Sequence, residues 1–291
     1  MPLDFQPFSL DDQQAYISFL SRCGQKASDY SFVNLWGWML EYGLERAFLD
    51  DCVLVRQTRP DTIFWAPLGD WTTINWGRVH RAVEGRCRFI RVPEALKDIM
   101  VVQCHDIEVL ENREHWDYLY SVEELVELKG NRFHKKKNLL SQFLRQDDHR
   151  YVRLDRHSVE HALGLQTEWM LWRGGESDST LVAENKAIVR VMHDWDRLDR
   201  IFGAGLTVGG HMVAYTIAEP LDENTVVIHF EKGCPNVKGV YQAINSLFLA
   251  KDCQKFALVN REQDLGDEGL RKAKLSYNPV GFLKKFEIRM A

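Results

Sequence analysis

Apolar residues recur at Val240, Ala243, Ile244, Leu247 and Phe248, a spacing that predicts an amphipathic helix opening near Val240. Weaker stripes predict three more helices. Tyr16, Phe19, Leu20 and Cys23 follow Ser9 and Asp12, which are spaced as a capping box. Val159, Leu163, Gln166 and Met170 form the second stripe, and Ile188, Val191, Met192 and Trp195 form the third, within residues 181–195. Short apolar runs bounded by turn residues predict strands at 47–49, 52–56, 63–65, 89–92, 107–110, 116–120, 151–154, 201–208, 212–218, 226–231 and 256–259. Asp50-Asp51 and Gly209-Gly210 read as hairpin turns, and GGESDST at 174–180 as a polar loop. Helices are also expected at 75–84, 93–99 and 267–275, with 282–288 closing the second half of the chain. Strands alternating with helices over mostly short links predict mixed α/β sheets. The length, 291 residues, suits two domains, expected at 1–125 and 151–291 with a connecting basic helix at 126–150.

The connecting stretch departs from this pattern. In KGNRFHKKKNLLSQFL, residues 129–144, Phe133, Leu140, Phe143 and Leu144 predict an inner helical face. That face passes over Lys136 and Lys137, while Lys135 points the other way. A buried ammonium without a partner is costly, so these lysines need a carboxylate of the protein or an anionic group of a ligand, unless their stems snorkel outward.

Charge is distributed to match. Net charge is −5. Residues 1–128 carry 12 Lys and Arg against 21 Asp and Glu, residues 129–156 carry 9 against 3, and the remainder 16 against 18. One basic segment between acidic halves excludes a sequence-specific DNA binder, which would be basic throughout, and suits capture of the polyanionic part of a ligand. Apolar residues at 45% and charged residues at 27% describe a globular protein. The N-terminal residues lack the pattern of a signal peptide, no apolar run is long enough to span a bilayer, and a cytoplasmic location is expected. The six cysteines form no CxxC, so free thiols are expected and a metal is not.

Candidate chemistry clusters in the second half. In the strand 226–231, Val227, His229 and Glu231 share one face. The loop GCPNVKG then leads into the helix at Val240, and a strand–Gly loop–helix offers free N–H groups to a phosphate. Asn260 and Arg261 follow a short strand, where α/β folds place ligand groups. Arg261 suits a phosphate or carboxylate, and Glu231 suits a general base. Asp264, Asp267 and Glu268 crowd a helix start and Lys272 and Lys274 its end, as dipole compensation requires. His211 and His229 stand too far from other ligand types to argue for a metal.

Five stretches together carry a resemblance: YSFVNLWGW at 30–38, KGNRFHKKKNLLSQF at 129–143, ENKAI at 184–188, VVIHFEKGCPNVKGVYQAIN at 226–245 and VNREQDLGDEGLRKAKLSYNPV at 259–280. They resemble the phosphatidylglycerol lysyltransferase C-terminal-domain family, over residues from about 5 to about 288. The resemblance implies two tandem GNAT-like acyltransferase domains, as in the Fem-type aminoacyltransferases, and transfer of a tRNA-borne aminoacyl group to a phospholipid or peptide. It implies catalytic roles at Glu231, Lys232, Arg261 and Asp264. It implies substrate binding at Lys129, Lys136, Lys137, Tyr241, Asn245, Asn260, Lys272, Lys274 and Tyr277. No cofactor is expected. The acetyl-coenzyme A loop of standard acetyltransferases reads Q/R-x-x-G-x-G/A, and here residues 236–241 keep only Gly239. Acetyl transfer from acetyl-coenzyme A and a catalytically silent anion-binding module are the alternatives.

Overall fold

The computed structural model describes residues 3–83, 87–174 and 178–290. The polar loop expected at 174–180 and the end of the helix expected at 75–84 fall partly outside these residues. The chain forms two compact units. One comprises Met1–Asp117, Gln263–Glu268 and Phe282–Ala291, the other Tyr118–Glu262 and Gly269–Gly281. These limits divide the chain differently from the expected 1–125, 126–150 and 151–291: the basic helix belongs to the second unit, and the last strand to the first.

In chain order the first unit contains β1 (Gln6–Pro7), α1 (Gln13–Ser21), α2 (Phe32–Tyr42), β2 (Leu44–Phe48), β3 (Cys52–Gln57), β4 (Ile63–Gly69), α3 (Trp76–Ala82), β5 (Cys87–Pro93), α4 (Glu94–Gln103) and β6 (Ile107–Glu111). The Ser9–Asp12 capping box is present before α1. Next along the chain are β7 (Asp117–Ser121), α5 (Val122–Glu127), α6 (His134–Leu144), β8 (His149–Arg153), α7 (Arg156–Trp172), α8 (Ser179–His193), β9 (Phe202–Val208), β10 (His211–Pro220), β11 (Thr225–Gly233), α9 (Val240–Asp252), β12 (Leu258–Asn260), α10 (Glu268–Leu275), β13 (Gly281–Leu283) and β14 (Lys285–Met290). Two mixed seven-stranded sheets result, in the orders β1-β2-β3-β4-β5-β14-β6 and β13-β7-β12-β11-β10-β9-β8. These are the mixed α/β sheets that the alternation of strands and helices predicts. Among the described residues no helix is long and apolar enough to cross a membrane.

The first unit recruits the end of the chain. Residues 282–288 were expected to close the second half, yet β14 inserts between β5 and β6, antiparallel to both. The physical reason is Lys285, which is fully buried. Its ammonium pairs with Asp29 and, at 2.6 Å, with Asp117. Arg91 also pairs with Asp29, so two cations meet two carboxylates in the interior. Burial works against the charges of Lys285, Arg91 and Asp29. Lys285 and Arg91 nonetheless hold the Asp29 carboxyl far below its ordinary pKa, and Asp117 and Asp29 raise that of Lys285.

In the second unit, β12 and β11 run parallel but pair only from Thr225↔Leu258 to Val227↔Asn260. β11 continues to Gly233 on the other side, paired to β10. Helices cover both faces of this sheet. Tyr215 and Lys232 are cross-strand partners whose side chains meet α7 at Gln166 and Trp169. Their neighbour Glu231 points to the other face and meets Asn245 of α9. α5 and α6 lie against α9. The close approach of α6 explains the glycine before α9. Gly239 has φ +80°, and a Cβ there would collide with the Leu139 carbonyl.

Lys285→Met would leave Asp29 and Asp117 sharing one remaining cation in a dry interior. We expect it to destabilise the protein by about 3–5 kcal/mol in urea unfolding. A loss within experimental error would show that the buried charges do not hold β14 in place.

Candidate active site

Glu231 is placed near the end of β11, one position after the strand's last apolar residue. Arg261 lies just beyond β12 and donates from Nη2 to Glu231 Oε1 at 2.8 Å. Asn245, buried within the apolar face of α9, donates from Nδ2 to Oε2 at 3.4 Å. The Arg261 guanidinium lies 4.9 Å from the centre of the Tyr277 ring. Lys136 Nζ, from α6, lies 4.0 Å from the centre of the same ring and donates to Ser276 Oγ at 2.6 Å. Gln242 Nε2 donates to the Tyr277 hydroxyl at 3.2 Å. Lys274 donates to the Arg261 carbonyl, and the Tyr120 hydroxyl donates to the Lys274 carbonyl at 2.9 Å. α6, α9, β11, the turn after β12 and the C-terminal end of α10 thus each contribute a side chain.

The electrostatics are uneven. Burial opposes the Arg261 charge most strongly of any one influence, but Glu231, Tyr277 and Tyr120 together outweigh it and raise the guanidinium pKa. Lys136 has no carboxylate partner among the described residues. Burial and then the Arg261 charge push its pKa down. Burial raises that of Tyr277, partly offset by Arg261. Two cations around one aromatic ring therefore face a single carboxylate. Such a place favours an anion, and the ring attracts the cations that would hold it.

A second cluster sits on the opposite face of β11. Lys232 donates to both carboxylate oxygens of Glu184 on α8, each at 2.8 Å, with its ammonium 4.0 Å from the centre of the Trp169 ring. Trp169 Nε1 donates to the Tyr241 hydroxyl at 3.3 Å, and that hydroxyl donates to the Gly233 carbonyl at 3.1 Å.

Of the residues expected from sequence, Lys136, Glu231, Arg261, Asn245, Lys274 and Tyr277 come together. Lys232 and Tyr241 join the second cluster. Asn260 is buried and accepts from the Glu262 backbone at 2.8 Å, shaping the turn rather than facing the ring. Asp264 belongs to the first unit, buried, where it accepts from the Gly266 backbone at 3.0 Å and from Arg113 at 3.4 Å. Lys129 is exposed and paired with Glu127 at 2.6 Å, and Lys272 is exposed. Lys137 was expected on the inner face but is exposed, as is Leu144. The reason is helical phase. Phe133, Lys136, Leu140 and Phe143 follow one line at steps of three, four and three, and residues 137 and 144 lie a further 100° round.

Sequence reasoning missed Glu184 and Trp169, although Glu184 opens the ENKAI stretch. It also set His229 aside as isolated. Its imidazole is fully buried, with Nε2 3.0 Å from Glu219 Oε1 and Nδ1 2.8 Å from Glu262 Oε1. Burial opposes its charge, but the two hydrogen-bonded carboxylates raise its pKa to about 9. Glu219, an acid ending the buried run of β10, was the available signal. No group of three or more His, Cys, Asp or Glu among the described residues is arranged to hold a metal. A cleft of about 690 Å³ lies in the first unit, lined in part by Arg56, Arg88 and Arg289. All three arginines are paired to Glu45, Glu287 or Glu108.

Comparison with known proteins places this geometry in context. Residues 21–289 match the family described as phosphatidylglycerol lysyltransferase, C-terminal. A conserved protein of unknown function from Bacteroides thetaiotaomicron is 26% identical, with a TM-score of 0.90 over 99% of this chain and 100% of its own. The L-PGS of Bacillus licheniformis is 13% identical, with a TM-score of 0.67 over 96% of this chain and 92% of its own. FemX is 6% identical, with a TM-score of 0.64 over 98% of this chain and 97% of its own. The last two likenesses show a shared fold. The family's chemistry is of the acyl or aminoacyl transfer kind. With the match running almost end to end, the chain belongs to the phosphatidylglycerol lysyltransferase C-terminal family.

Proposed function

We propose that the protein is an aminoacyltransferase whose donor is an aminoacyl-tRNA and whose acceptor is the amine or hydroxyl of a phospholipid or peptide. The observation that carries this reading is the charge imbalance around Tyr277, where among the described residues Lys136 and Arg261 face one carboxylate, Glu231. Lys136 and Arg261 hold a phosphate of the donor near its ester. The acceptor's nitrogen or oxygen attacks the ester carbonyl, and its proton passes to Glu231. The new C–N or C–O bond forms as the bond to the tRNA ribose oxygen breaks, and Glu231 returns the proton to that oxygen, which leaves as a hydroxyl. Arg261 steadies the developing oxyanion and Asn245 orients the base. Lys232, Trp169 and Tyr241 hold the far face of β11. The name of the family supports transfer of this kind. Acetyl-coenzyme A is the less favoured donor, because the Leu139 backbone lies against Gly239 at the start of α9, where that cofactor's phosphates would need room.

Two measurements test this. Label from charged tRNA should appear in a lipid or peptide pool, and Glu231→Gln should slow transfer by roughly 10²–10⁴-fold with donor binding retained. Transfer from no charged tRNA would contradict the reading, and full activity in Glu231→Gln would remove Glu231 as the base. In the NMR titration of ¹³C-methylated lysines, Lys136 should titrate below the ordinary value of about 10.4, and Arg261→Gln should move it upward. An ordinary or raised value would mean that Lys136 has an anionic partner within the protein.

A further inference from the structure

We propose that Glu219, His229 and Glu262 form a charged clasp that positions Arg261 against Glu231 where β11 and β12 part. The clasp rests on reading Glu231 and Arg261 as the transferase site, and makes His229 a positioning residue for it.

Backbone pairing between the two parallel strands ends at Val227↔Asn260, while β11 runs on to Gly233. Beyond that point two side-chain rungs cross from β11 to the turn after β12. One is His229 to Glu262 at 2.8 Å, and the other is Glu231 to Arg261 at 2.8 Å. Adjacent residues of an extended chain point to opposite faces, so Arg261 and Glu262 would not both reach one strand. They do so because Glu262 adopts φ +56°, a left-handed conformation that disfavours residues with a Cβ. The turn is fixed further by the Asn260 side chain accepting from the Glu262 backbone. Tyr118 donates to the Glu262 carbonyl at 3.2 Å and accepts from the Arg261 N–H at 3.0 Å.

β11 is shaped to meet the turn. Ile217 pairs with Phe230 and Ala218 with Ile228, so the register shifts at His229. Bulges of this kind re-aim a side chain beside a site. Both imidazole nitrogens meet carboxylates, Glu219 from β10 and Glu262 from the turn. A neutral ring would set a lone pair against one of those carboxylates in a dry interior, so the ring donates from both nitrogens and is cationic. Glu219 thereby anchors the far side of the imidazolium and leaves its near side to pull on Glu262, the residue next to Arg261.

The test uses the whole protein carrying ¹³C,¹⁵N-arginine, with the Arg261 Cζ–Nε signal assigned by its loss in Arg261→Lys. The wild type should show a signal displaced from that of a free guanidinium. His229→Gln should move it toward the free position and weaken the binding of pyrophosphate tenfold or more. Glu262→Gln, at a side chain partly open to solvent, should act in the same direction and guards against misfolding of the first variant. The ring's charge has its own signature. Raising its pKa above the unfolded value stabilises the fold fully below about pH 6.5, and that gain is lost as the pH passes about 9. The gap in melting temperature between wild type and His229→Gln should therefore be widest near pH 6 and close above pH 9. An Arg261 signal unchanged in both variants, or a gap independent of pH, overturns the clasp. If the signal moves as expected but the wild type binds no pyrophosphate, the clasp stands and the anion-binding reading of the site falls.

Discussion

The candidate site depends on an early end to strand pairing. β12 is three residues long, and its three pairs with β11 are spent before β11 reaches His229 and Glu231. From there on, side chains do what backbone hydrogen bonds do elsewhere in the sheet. Because the crossing rungs are ionic, the gap becomes a place where charge is already concentrated and oriented. Tyr277, Asn245 and Lys136 then have something to surround. An unbroken β11–β12 ladder would bury Glu231 behind backbone and leave Arg261 no reason to turn inward.

The two buried charge groups show what separates holding from binding. In the first unit Asp29 and Asp117 meet Lys285 and Arg91, so the charges cancel and the group is closed. Its work is to bring the end of the chain into the first sheet. Around Tyr277 the sum is left open, with Lys136 answered by a serine hydroxyl and not by a carboxylate. Paying for an unmatched ammonium in a half-buried place makes sense when a ligand supplies the missing charge.

Much of this was legible in the chain. The periodicity of α9, the hairpins of both sheets and the unusual lysine content of α6 all follow from local pattern. So do Glu231 and Arg261, which sit at strand ends. Local pattern failed where the deciding contact is distant in sequence. It set 282–288 in the second half because nothing nearby announces that Lys285 must reach Asp29 and Asp117. It took Lys136 and Lys137 as a pair, although a helix can present only one of two neighbours along the Phe133–Phe143 line. It set His229 aside because its partners, Glu219 and Glu262, come from another strand and a turn. The resemblance implied a site role for Asp264, but after the turn at Glu262 the chain passes into the other unit.

The central claim is that an anion is held by Lys136 and Arg261 beside the Tyr277 ring. Anomalous diffraction from crystals soaked in tungstate, a phosphate mimic, reads this directly. The account predicts a tungsten peak within hydrogen-bond reach of both Lys136 Nζ and the Arg261 guanidinium, absent in Lys136→Met. A peak elsewhere on the molecule, with that position empty, would contradict it.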